Sequence, residues 1–167
     1  FASIKEPHFF AKDITHSNDN AKFRKTAKRT DGQHQRFVRT EEEYLGLFEH
    51  YRGESIMAEA SASYYFSSQA MTNIKNYNPE AKHLILLRNP IERAYSHYLM
   101  DFRRGTVSGS FLAEVEKDYN RARKGWGVSH LFIELGLYYE SLERIYSSFP
   151  AEQIKLILFD QLKHDTS

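Results

Sequence analysis

Lys82-His83-Leu84-Ile85-Leu86-Leu87-Arg88-Asn89-Pro90-Ile91-Glu92-Arg93-Ala94-Tyr95-Ser96-His97-Tyr98 is the stretch that decides the fold of this 167-residue chain. Four successive aliphatics, Leu84 to Leu87, form the pattern of a strand buried on both faces, as in a parallel sheet covered by helices. Asn89-Pro90 then opens a helix, with Pro in the first turn, where its missing N–H costs nothing. Ile91, Ala94, Tyr95, Tyr98, Leu99 and Phe102 follow at helical spacing as the expected apolar stripe, and Gly105 ends the helix.

Outward from this strand-to-helix unit the same alternation recurs. Thr40-Glu41-Glu42-Glu43 has the form of a capping box, and the helix it opens runs through Tyr44, Leu47 and Phe48 to Gly53. Ser55 to Ala58 reads as a short strand, and Ser67 or Ser68 opens a helix that ends before Pro79. Beyond Gly105, a helix is expected from about Ser110 to Arg123, then a Gly125-Trp126-Gly127 loop. A long helix through Leu135, Leu142, Ile145 and Phe149 and a final strand from Ile154 to Phe159 complete the pattern. Strands separated by helices predict an α/β fold with a central, mainly parallel sheet flanked by helices.

Composition narrows the function classes. A chain of this size buries roughly 70% of its unfolded surface, enough for a real core, and no linker or repeat divides it, so residues 1–167 read as a single domain. With 23 Lys plus Arg against 22 Asp plus Glu, the net charge of +1 excludes a generally basic mode of nucleic-acid binding, and no specific nucleic-acid partner is expected. Seven basic residues between Lys22 and Arg39 with only Asp31 among them read either as a solvated loop or as an anion-binding stretch. There is no Cys, so no disulfide and no thiolate ligand, and no apolar run is long enough to span a membrane. The eight His residues include no His-Glu-x-x-His helix, and no metal site is expected. The sequence holds no Gly-x-Ser-x-Gly elbow and no glycine-rich phosphate loop.

Three segments carry chemistry. Arg88 stands beyond the carboxyl end of a strand and beside a helix N-terminus, where an α/β fold holds anions. Its planar, permanently charged fork matches two phosphate oxygens. Ser96, at ~100° per residue, falls away from the apolar stripe and shares a face with Asn89, Glu92 and Arg93, so a hydroxyl can join Arg88 on one phosphate. The plainer reading pairs Arg88 with Glu92 and leaves Ser96 exposed. In Lys5-Glu6-Pro7-His8-Phe9-Phe10, Glu6 reads as a general base at a strand end with the His8 imidazole near enough to tune it, or else as part of a surface turn. Glu59-Ala60-Ser61-Ala62-Ser63-Tyr64 places an acid, hydroxyls and an aromatic at another strand end, for substrate contact or for capping and packing.

These segments, with Gly136-Leu137-Tyr138-Tyr139-Glu140-Ser141-Leu142, occur in an order that resembles the PAPS-dependent sulfotransferases. The similarity is to the branch holding the heparan sulfate enzymes and many bacterial carbohydrate or metabolite sulfotransferases. The Arg88-Asn89-Pro90-Ile91-Glu92-Arg93-Ala94-Tyr95-Ser96 block is its most specific part. The resemblance implies a P-loop-NTPase-like sulfotransferase fold and transfer of a sulfuryl group from PAPS, leaving PAP, to a hydroxyl or amine of an acceptor such as a carbohydrate. Arg88 and Ser96 match the pair that binds the 3′-phosphate, Glu6 matches the catalytic base, and His8 matches a position that supports it. It further implies no metal, and a cytoplasmic location for a bacterial-type member or the Golgi lumen for a eukaryotic one. The family's Lys-x-Gly-Thr-Thr-like 5′-phosphosulfate loop and its later cofactor-closing loop have no counterpart in these residues, and Phe1 in place of an initiator Met agrees with a domain truncated at both ends. Heparan-type members have Lys where Ala60 stands, which favours a different acceptor. A catalytically incomplete glycan- or nucleotide-binding domain of the same fold, and a nucleotide kinase, are the competing expectations.

Overall fold

The computed structural model describes residues 1–15 and 38–164, so the basic stretch from Lys22 lies outside the described residues apart from its end at Val38 and Arg39. The chain forms two compact units, Phe1–Asn76 and Tyr77–Ser167.

In the first unit, α1 (Lys12–Thr15), α2 (Glu41–Gly46), α3 (Ser63–Phe66) and α4 (Ala70–Tyr77) surround an aromatic core. Phe9 stacks on Tyr44 at 4.4 Å between ring centroids, and Phe10 meets Tyr44 and Tyr64 edge-on, arrangements that suit the ring quadrupoles. The predicted capping box at α2 is present: Thr40 Oγ1 accepts from the Glu43 N–H at 3.2 Å, and Glu43 Oε2 accepts from the Thr40 N–H. Ser67, one of the two predicted helix starters, accepts from the Gln69 and Ala70 N–H groups at the head of α4.

The expected strand at Ser55 to Ala58 does not form, and the segment before Pro7 is irregular as well. Instead the two segments are joined by isolated bonds from Ala2 N to Ala58 O (2.9 Å) and from Glu6 N to Ala60 O (3.1 Å). Bonds this sparse do not make a ladder. They do bring Pro7 and His8 next to Ser61 and Ser63.

In the second unit, β1 (His83–Leu87) and β2 (Ile154–Leu158) pair in parallel, with His83 opposite Ile154 and Leu87 opposite Leu158. Between them run α5 (Pro90–Arg103), α6 (Phe111–Tyr119) and α7 (Tyr138–Ser148), and α8 (Phe159–His164) follows β2. A parallel pair needs such a crossover, because a tight turn can only reverse the chain. Burial of β1 alternates rather than covering both faces: Leu84 is 72% and Leu86 50% exposed, while Leu87 is buried. Among the described residues the sheet has two strands, and a sheet this narrow leaves one face of β1 uncovered.

Asn89 caps α5 as expected, its Oδ1 accepting from the Ile91 and Glu92 N–H groups at 3.0 and 3.4 Å. The buried line of α5 is Ala94, Tyr98 and Asp101, packed with Val107 and Phe132; Ile91, Tyr95 and Phe102 of the expected stripe are exposed. Gly105, at φ +70°, ends the helix in the left-handed conformation that glycine tolerates. The long helix expected through Leu135 is interrupted. A short 3₁₀ turn at Glu134–Gly136 precedes α7, and Leu137, at φ −83° and ψ 78°, breaks the path between them. Among the described residues no helix is long and apolar enough to cross a membrane.

Candidate active site

Glu6 and His8 belong to the first unit, Arg88 and Ser96 to the second. The structure brings Glu6 and His8 together. His8 Nε2 lies 3.7 Å from Glu6 Oε2, with the imidazole buried and the carboxylate one-third exposed. Both residues have positive φ, +56° and +57°, on either side of the buried Pro7. Non-glycine residues in this region cost about 1–2 kcal/mol each, so the backbone around them must enforce the geometry. The enforcing bonds are visible: Glu6 N to Ala60 O, Val38 N to Pro7 O at 3.0 Å, and His8 N to Ser61 Oγ at 3.0 Å.

On its other side, His8 Nδ1 sits 2.6 Å from the fully buried Ser63 Oγ. A carboxylate facing Nε2 favours the tautomer with hydrogen on Nε2, which leaves Nδ1 to accept from the Ser63 hydroxyl. Burial lowers the His8 pKa from 6.5 to about 4, so the ring is neutral at pH 7. The layer behind it is polar and satisfied. Ser61 Oγ donates to Glu59 Oε2 at 3.0 Å, and Tyr64 Oη donates to Glu59 Oε1. Burial raises the Glu59 carboxyl, against the lowering effect of these two hydroxyls, and pushes the Tyr64 phenol above its ordinary range, with the neighbouring carboxylate adding to the rise. Glu59, Ser61, Ser63 and Tyr64 all lie in the segment singled out from sequence. That Ser61 and Ser63 meet His8, and Tyr64 meets Phe10, from more than 50 residues away is a fact of the fold.

Arg88 follows the last residue of β1 and stands at the head of α5, where the sequence placed it. Its Nε pairs with Glu92 Oε2 at 3.1 Å, its guanidinium lies over the Phe159 ring at 5.2 Å from the centroid, and its carbonyl accepts from Tyr138 Oη at 2.8 Å. The plainer sequence reading of Arg88 is therefore present as a contact. A partly exposed pair of this kind is worth about 0–1 kcal/mol and yields readily to a stronger anion. Ser96 is exposed, and it lines an open groove of about 460 Å³ with Leu99, Met100, Arg103 and Arg104.

A polar cluster that sequence reasoning missed stands behind α5. Asp101 Oδ2 is 2.6 Å from His130 Nδ1 and 3.4 Å from His97 Nε2, while the buried Asp118 accepts from the backbone N–H groups of His130 (2.8 Å) and Phe132 (3.3 Å). Burial lowers the His97 pKa, and the contact with His130 lowers that of Asp101 against the opposing effect of burial. His97 and Asp101 stand at i,i+4 on α5, but the approach of His130 and Asp118 from 12 to 29 residues away leaves no local pattern to read. Among the described residues no group of three or more His, Asp or Glu is arranged to hold a metal ion.

Comparison with known proteins now bears on this geometry. The structure superposes on the crystal structure of a sulfotransferase from Alicyclobacillus acidocaldarius with a TM-score of 0.82 and 30% identity, over 98% of this chain and 64% of that one. The chain is similar to sulfotransferases in both sequence and fold. Among curated proteins it is similar to heparan sulfate glucosamine 3-O-sulfotransferase 6 of Mus musculus, 24% identical over 123 residues. That alignment takes in 73% of this chain and 35% of the mouse protein, so the chain spans about a third of this relative's length. No family model matches the chain. The α/β fold expected for a sulfotransferase is the fold found, with its parallel strand pair joined through helices.

Proposed function

We propose that this chain carries the 3′-phosphate site and the catalytic base of a sulfotransferase that moves a sulfuryl group from PAPS to a hydroxyl or amine of a carbohydrate or small-metabolite acceptor. The observation that carries the reading is the likeness to a solved sulfotransferase over nearly the whole chain, with Arg88 at the β1-to-α5 turn. PAPS supplies the activated sulfuryl group when bound.

The residues present suit that donor. Arg88 presents a permanently charged fork beside the head of a fourteen-residue helix, where the backbone dipole also favours an anion. Its present partner, Glu92, is an exposed carboxylate that a phosphate can replace. Ser96 offers a free-standing hydroxyl donor two turns along the same helix.

Glu6 is exposed enough to meet an acceptor, and as a carboxylate it accepts the proton that the attacking oxygen or nitrogen gives up. His8, neutral and held by Ser63, stands with Nε2 3.7 Å from the Glu6 carboxylate and does not compete for the proton. The two positive-φ residues fit this role, because backbone strain of that kind persists where the surroundings enforce a working geometry. Sulfuryl transfer, like phosphoryl transfer, rests mainly on positioning and charge stabilisation. The likeness to a mouse heparan sulfate glucosamine sulfotransferase favours a carbohydrate acceptor. The bacterial relative favours a cytoplasmic location, with the Golgi lumen as the alternative.

The test has two arms, both on the full chain. Arg88→Ala is expected to remove most of the affinity for PAP in a calorimetric titration; unchanged affinity sinks the donor-site assignment. Glu6→Gln is expected to bind PAP nearly as well as wild type while turnover collapses. Equal turnover removes Glu6 from the base role, whereas PAP binding with no turnover in the wild type favours a binding domain of the same fold.

A further inference from the structure

The segment Gly136-Leu137-Tyr138 has no part in the chemistry above, yet it is fastened to the turn that bears Arg88. Tyr138 Oη donates to the Arg88 carbonyl at 2.8 Å, fifty residues away in sequence. A Cβ on Gly136 would stand 2.9 Å from Pro90 Cβ and 3.6 Å from Pro90 Cα, so this position meets the first residue of α5 in a space that admits only hydrogen. One turn further along α5, the Arg93 guanidinium donates through Nη2 to the Phe132 carbonyl, just ahead of the Glu134–Gly136 turn. Burial lowers the Arg93 pKa, opposed by Tyr138 and Glu134, which places these two groups beside it. The stretch from Arg88 to Arg93 and the stretch from Phe132 to Tyr138 are thus joined at three points: a phenol to a carbonyl, a glycine to a proline, and a guanidinium to a carbonyl.

We infer that Tyr138 and Gly136 are positioning residues for the donor's phosphate, acting through the backbone of Arg88-Asn89-Pro90. This rests on the donor-site reading of Arg88. The physical reason lies in what else holds that arginine. Its side chain has an exposed ion pair with Glu92 and the face of Phe159, and neither sets where its backbone sits. Among the described residues the side-chain tie made by the turn's own Asn89 is the cap along α5. A bond to the Arg88 carbonyl fixes the peptide from which the guanidinium projects, and the close approach of Gly136 fixes Pro90 two residues later. Such pre-organisation shows in donor binding, because a guanidinium already in place loses less freedom when it takes up a phosphate.

The test compares Tyr138→Phe, which keeps the ring and loses only the donor, with Gly136→Ala and Arg88→Ala, on the full chain. PAP affinity and binding stoichiometry are read by calorimetry, and KM for PAPS and kcat by initial rates. Tyr138→Phe is expected to weaken PAP binding and raise KM for PAPS roughly 3- to 10-fold at unchanged stoichiometry, with kcat within about twofold, the effect of one hydrogen bond. Gly136→Ala is expected to move both in the same direction; if it fails to fold, Tyr138→Phe decides alone. A merely structural role would lower stoichiometry and apparent kcat together and leave KM for PAPS where it was, and that result overturns the inference. So does wild-type affinity in Tyr138→Phe when Arg88→Ala has lost PAP, in which case the donor-site reading stands. If Arg88→Ala keeps its affinity, the donor-site reading falls and the positioning role falls with it.

Discussion

The buried imidazole of His8 makes the protein's stability depend on pH in a direction that can be worked out in advance. Its pKa falls from 6.5 to about 4 in the folded chain because burial disfavours the charged ring. Between those two values the unfolded chain binds the proton and the folded chain does not. Stability is therefore intact above pH 6.5 and is lost progressively as pH falls toward 4. For one group with these two pKa values, the loss between pH 7 and pH 5 is about 2 kcal/mol, or a fall in Tm of roughly 4–8 °C for a chain of this size. His83 and His97 are lowered by burial too and add a loss of the same sign, so wild type alone does not isolate His8. His8→Gln does, because an amide can still meet Ser63 Oγ and does not titrate. The assay is thermal unfolding of both proteins at pH 7, 6 and 5, with the His8 ring followed by NMR. The expected result is a wild-type curve that falls more steeply by about 2 kcal/mol. Parallel curves, or a His8 midpoint near 6.5, would refute the view that His8 is held neutral beside Glu6.

Two further outcomes follow from contacts in the second unit. Glu92→Gln removes the carboxylate that occupies Arg88, and since exposed pairs are worth about 0.2–1 kcal/mol, PAP binding should tighten roughly 1.5- to 5-fold in calorimetry; weaker binding would mean that Glu92 positions Arg88 instead of competing for it. Asp118→Asn leaves one acceptor oxygen for the His130 and Phe132 N–H groups, so unfolding by denaturant should show a loss of about 1–3 kcal/mol, and a change below about 0.5 kcal/mol would count against this carboxylate as the anchor of the loop.

Much of the local structure was legible in the sequence because its determinants lie within four residues of one another. The Thr40 to Glu43 box and the Asn89 and Ser67 caps are bonds between a side chain and nearby backbone, and the Gly105 stop is a local backbone conformation. The β1 and β2 strands announced themselves by aliphatic runs. Errors arose wherever burial had to be assigned to a face. Ile91 and Tyr95 are as apolar as Ala94 and Tyr98, and only the position of Phe132 and Val107 decides which line of α5 is covered. The break at Leu137 follows from Gly136 lying against Pro90, a contact between residues 46 positions apart in the sequence.

The candidate site divides in the same way. The sequence by itself determined which residue types are available, Glu6 and His8 beside a proline and Arg88 at the mouth of a strand, and it determined the α/β alternation, because periodicity and capping are local properties. Tertiary structure alone decided that His8 is buried and neutral, that Ser63 rather than a carboxylate meets its Nδ1, that the Arg88 guanidinium lies over Phe159, and that Tyr138 holds the Arg88 carbonyl. The physical reason is that a pKa depends on desolvation and a hydrogen bond on a few tenths of an ångström. Both are set by chain segments some 50 residues away, whose approach no local pattern encodes.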